Sequence, residues 1–108
     1  MKEALQEGLR RLDKRDWVGA AGHFRSLEEQ TYSPELMTVG HIGLAVLSGL
    51  RGDAKMSEVL FWQAAGLAQS HPECRPVIQA WKNNGKVWLH KAVELDKQKD
   101  AWLPPMFQ

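Results

Sequence analysis

The sequence predicts an all-α fold. Two observations carry that expectation. Apolar residues recur at helical spacing, as in Leu5, Leu9 and Leu12, and no segment alternates with a strand's two-residue period over a useful length. The chain also repeats itself at an offset of 37 residues, with Gly8, Leu12, Asp16, Ala20, Phe24 and Leu27 answered by Ala45, Gly49, Asp53, Ser57, Phe61 and Ala64. A repeat of that length is a helical hairpin written twice. The expected architecture is about six helices as stacked antiparallel hairpins, in one domain over residues 1–108.

Each element has its own signal. A first helix is expected over Lys2–Lys14, with its leucines on one face and charges on the other. Asp16 is a suitable N-cap for a second helix, Trp17–Gln30, whose stripe is Trp17, Ala20, Ala21, Phe24 and Leu27. Ser33-Pro34-Glu35 is a helix start: a cap, a proline for the first helical position, and an acid for the dipole. The third helix, Pro34–Leu50, is apolar on most sides and is expected at the centre. Gly40, Gly43 and Gly49 weaken it by about 1 kcal/mol each relative to Ala, a cost that close helix approach would offset. Arg51-Gly52-Asp53 reads as a turn, with Gly ending one helix and Asp capping the next, Ala54–Ser70. His71-Pro72 breaks that helix. A fifth is expected over Glu73–Lys82, with Pro76 in its first turn, then a turn at Asn83-Asn84-Gly85 and a sixth helix over Lys86–Lys99. The hairpins thus cover about 2–30, 34–70 and 73–99, followed by an apolar tail, 100–108, that its prolines keep from being a continuous helix.

Composition excludes several classes of function. At 44% hydrophobic and 25% charged, the chain is not of disordered type. A net charge of +1 gives no global field for nucleic acid or anionic membrane. Arg10, Arg11, Lys14 and Arg15 form the best basic cluster, but Glu7, Asp13 and Asp16 interleave with it, so surface pairing is the expectation. No run approaches the ~18 apolar residues of a membrane span, and the amino-terminal stretch lacks a signal-type apolar core. Cys74 stands alone and argues for no oxidising compartment. A cytoplasmic protein, with no nucleic-acid or membrane partner, is expected. Five tryptophans require a tight core or a contact surface.

No catalytic set and no cofactor or metal site is expected. His23, His41, His71 and His90 are far apart in sequence. His71 and Cys74 are two ligands where structural zinc needs four, and His90 with Glu94 lacks further partners. Cys74 as a nucleophile needs a base and an electropositive setting. No glycine-rich loop follows a strand to cradle a phosphate.

The two units resemble the tetratricopeptide repeat family. That family's repeat of about 34 residues sets small residues where its helices touch and an aromatic where one hairpin meets the next. Gly8, Ala20 and Phe24, then Ala45, Ser57, Phe61 and Ala64, stand in those places, and a proline follows each unit at Pro34 and Pro72. The chain departs from the pattern at Ala4, where the family has an aromatic, and at Leu27, where it has a small residue. The third hairpin matches poorly and is expected as a degenerate or capping pair. The resemblance implies a right-handed stack whose first helices line a concave groove. The implied groove residues are Leu5, Leu9 and Leu12 from the first unit and Val39, Ile42, Val46 and Leu50 from the second. They are apolar, so the implied occupant is the amphipathic helix or peptide of another protein. Some type III secretion chaperones are similar. The implied function is a non-enzymatic adaptor or chaperone. The alternative is a self-assembling structural subunit, with Trp62, Trp102 and Phe107 as its self-association residues: in the repeat frame Trp62 lands on the outer face, where the tail (Trp102, Phe107) or a second copy could meet it.

Overall fold

The turns closing the first two hairpins are copies of one another. The computed structural model describes residues 2–94 and 104–107, and all that follows concerns those residues. α1 (Lys2–Asp13) and α2 (Trp17–Glu28) form the first pair, α3 (Pro34–Leu50) and α4 (Ala54–Ser70) the second. After α1, the amides of Lys14, Arg15 and Asp16 donate to the carbonyls of Arg10, Leu12 and Arg11 at 3.1, 3.0 and 3.0 Å. After α3, the amides of Arg51, Gly52 and Asp53 donate to Leu47, Gly49 and Ser48 at 3.1, 3.0 and 2.9 Å. Every partner is displaced by the repeat offset. This crossed pattern requires one left-handed residue, which is Arg15 (φ 60°) in the first turn and Gly52 (φ 89°) in the second. Asp16 and Asp53 then cap α2 and α4, accepting from the amides of Gly19 and Met56 at 3.0 and 3.2 Å. Ser33 caps α3 through the Leu36 amide at 3.2 Å, with Pro34 opening the helix.

α3 is the central helix, and none of its residues is fully exposed. Its glycines have packing reasons. A Cβ on Gly43 would run into the Phe24 ring, and so would one on Gly8 of α1. Phe24 is therefore seated in a notch cut from two neighbouring helices. A Cβ on Gly40 would stand 2.5 Å from the Phe24 carbonyl oxygen, so α2 and α3 touch backbone to backbone. Ser57 of α4 donates to the Ala45 carbonyl of α3 at 2.7 Å inside the second hairpin. His23 of α2 donates through Nε2 to the Ala4 carbonyl of α1 at 2.7 Å inside the first.

The third pair starts later than the sequence predicts, and α5 runs two residues further, to Asn84. Pro72–Cys74 form one 3-10 turn, α5 spans Arg75–Asn84, and α6 is described over Lys86–Glu94. Asn83 and Asn84 stay helical, and Gly85 alone separates the two helices. A Cβ on Gly85 would meet the buried Trp81 ring, so glycine is required there for space. The expected end of the sixth helix at Lys99 lies outside the described residues. Both α5 and α6 pack against α3. Pro105–Phe107 make a final 3-10 turn against α5. Phe107 packs edge-on to Phe61, ring centres 5.1 Å apart.

Candidate functional site

The third pair decides what the chain can offer a partner. Ile42, Val46 and Gly49 share one face of α3 at i, i+4 and i+7. Gly49 backs onto Ala92 of α6, with no room for a Cβ between them. α6 lies across the inner face at that point. Its Trp88 reaches the first hairpin, donating through Nε1 to Asp13 Oδ1 at 3.0 Å and packing edge-on against Trp17 at 6.1 Å. Arg15 and Lys91 lie over the Trp88 ring at 4.9 and 5.0 Å. The Arg15 cation–π contact and the indole hydrogen bond thus fasten α6 to the end of α1 and the turn that follows it, while Lys91 covers the ring from within α6.

The implied concave groove is corrected accordingly. Val39, Ile42, Val46 and Leu12 are all 0% exposed, so they are core residues of their own molecule. Leu50 is half-buried against that core. Phe107, expected as a contact for another copy, is buried on Phe61. Trp102 lies outside the described residues. Trp62 does stand on the outer face of α4, 49% exposed.

Leu5, buried in the same core, and Leu9, half-buried against it, border an open groove that their helix flanks. This cleft of about 740 Å³ runs between α1 and α5. Leu5, Leu9 and Ala80 give it an apolar floor, and Gln6 and Asn84 add amides. Lys2, Arg10 and Lys14 on its rim outnumber Asp13, whose carboxylate already accepts from Trp88. Glu7, just outside, is bound to Arg10 and Arg11. The Arg10 hydrogen bond, with Arg11 adding to it, holds the Glu7 carboxyl down to about 2 from 4.5. Ala80 and Asn84 were not legible as site residues, since Asn84 reads as a turn and Ala80 as one more helix position.

The reactive groups are engaged elsewhere. Cys74 is fully buried, and burial pushes its thiol up, which makes it a poor nucleophile. His41 Nδ1 donates to the Met37 carbonyl at 2.9 Å, and His71 pairs with Glu73 at 3.5 Å. Among the described residues no group of three or more His, Cys, Asp and Glu side chains could hold a metal ion. No helix among them is long and apolar enough to cross a membrane. No family model, curated protein or solved structure matches the chain.

Proposed function

We propose that the protein is a non-enzymatic binding module that holds a segment of another polypeptide in the groove between α1 and α5. The occupant that fits is a short amphipathic helix: its apolar face on Leu9 and Ala80 above the buried Leu5, its acidic flank toward Lys2 and Lys14, since Arg10 is held by Glu7. The carrying observation is this pairing of an apolar floor with a net basic rim, in a cleft wide enough for side chains. The turn repeated after α1 and α3 supports kinship of design with tetratricopeptide hairpins, and α6 against the inner face of α3 favours a receptor at the α1 edge. An adaptor or chaperone role follows from holding such a segment without altering it.

Selection from a random peptide library tests the reading. Enriched peptides should be amphipathic and acidic, should lose most binding to Leu9→Asp, and should weaken as salt rises. Failure to enrich any peptide, or peptides that bind Leu9→Asp equally well, contradicts it.

A further inference from the structure

Pro104, Pro105, Met106 and Phe107 fold into one turn that supplies its own polar contact. The Phe107 amide donates to the Pro104 carbonyl at 2.9 Å, and the two prolines have no amide hydrogen to satisfy. Among the described residues, no hydrogen bond or ion pair joins this turn to the helices beneath it. Packing alone holds it: Pro104 and Phe107 are buried, Phe107 meets Phe61 of α4 edge-on at 5.1 Å, and the turn lies against α5. Its departure would strand no hydrogen-bonding group of the helices. The fit is also incomplete. Beside Met106, itself only half-buried, a cleft of about 330 Å³ lies open between Arg75, Ile78 and Gln79. Arg75 is exposed and, among the described residues, pairs with no carboxylate. A glutamate is as long as a methionine, so in the place of Met106 it would lay its stem along Ile78 and bring a carboxylate to the guanidinium.

We infer that this surface of α4 and α5 binds a segment of another protein with two prolines, an acid and an aromatic in succession, and that Pro104–Phe107 occupies the same site in cis as a weaker ligand. The aromatic takes the place of Phe107 on Phe61, and the acid pairs with Arg75. One aromatic anchor and one exposed charge pair make a weak ligand, with a dissociation constant on the order of 100 µM. Covalent attachment gives the chain's own turn an effective concentration on the order of 1 mM, so it weakens a free peptide about tenfold. The turn therefore sets a threshold that only a better-fitting segment passes. No residue lining this cleft lines the α1–α5 groove, so the two sites stand or fall separately.

Calorimetric titration of the full chain with the end-capped peptide Pro-Pro-Glu-Phe-Gln tests this. Phe107→Ala vacates the site and should bind the peptide with a dissociation constant on the order of 100 µM, and the parent chain about tenfold more weakly. Exchanging the peptide's phenylalanine for alanine should abolish binding. Exchanging its glutamate for methionine should cost roughly threefold in the Phe107→Ala chain, and nothing once Arg75→Ala is added. No saturation of Phe107→Ala by about 1 mM peptide overturns the proposal, as does a glutamate preference that survives Arg75→Ala. A Phe107→Ala chain that no longer melts cooperatively also overturns it, because the turn is then part of the core and not a ligand. A parent chain that dimerises, and is monomeric as Phe107→Ala, assigns the site to the turn of a second copy and refutes the foreign segment.

Discussion

Phe24 holds the fold at the scale of single residues. Its ring fills the notch made by Gly8 and Gly43, so two opposite substitutions should both hurt. Phe24→Ala leaves a cavity and should cost about 3–5 kcal/mol. Gly43→Ala overfills the same space and should cost about 1–3 kcal/mol, although alanine is the better helix former. Gly66→Ala is the control: with open space above it, the same exchange should stabilise the chain by about 1 kcal/mol. Urea midpoints of the three variants check these signs. The sequence shows glycines at helix positions and allows a packing reason for them. It does not show which glycines meet a ring and which meet water, because that depends on the neighbouring helix.

Glu7 gives a pH signature at the same scale. Its carboxyl sits near 2 in the folded protein against 4.5 ordinarily, held by Arg10 and Arg11. A depressed value stabilises the fold above the ordinary one, so the contribution is whole above 4.5 and fades as pH falls through about 2. Melting temperature measured across that window should fall less steeply in Glu7→Gln than in the parent chain. Equal slopes would show that the carboxylate is not held. Cys74 should react with a disulfide reagent only after denaturation, as its burial requires.

At the scale of elements, the caps made the second, third and fourth helices readable. Asp16, Ser33 and Asp53 each accept an amide at a helix start, and α3 and α4 run between the residues their signals name. Asp16→Ala and Asp53→Ala should each cost about 1 kcal/mol in thermal unfolding. Gly52→Ala should cost about 1–2 kcal/mol more than alanine at an ordinary turn position, since its φ of 89° disfavours a Cβ. Arg15 occupies the matching place with a side chain, and its guanidinium lies over both Trp88 and Trp17. The third pair was less legible. Two prolines four residues apart hid the start of α5: Pro72 opens a 3-10 turn, and Pro76 falls in the first turn of the helix that follows. Asparagine is a turn former in isolation, yet Asn83 and Asn84 stay helical where Trp81 and Gly85 fix the end of α5 by packing.

For the whole molecule, what mattered was which surface each apolar stripe meets. Periodicity marks Leu12, Val39, Ile42 and Val46 as one greasy face, and a groove and a core read alike in that pattern. The deciding contact, Trp88 to Asp13, joins residues far apart in the chain and has no local signal. Leu5 and Leu9 border the open cleft because α1 also flanks it, and Trp62 faces outward because its neighbour Phe61 takes the inward direction. Trp88→Phe should loosen the third pair by about 1–3 kcal/mol, the range for losing a hydrogen bond to a charged acceptor. Hydrogen exchange should then rise first in α6.

The account depends most on α6 covering the inner face of α3. Thiol labelling of Val46→Cys, in a Cys74→Ala background, tests that directly. If α6 seals the face, the new thiol should react only through global unfolding, so its labelling rate should track denaturant stability. Labelling in the native state at the rate of a free thiol would mean that the inner face lies open, and would return the receptor to Ile42 and Val46.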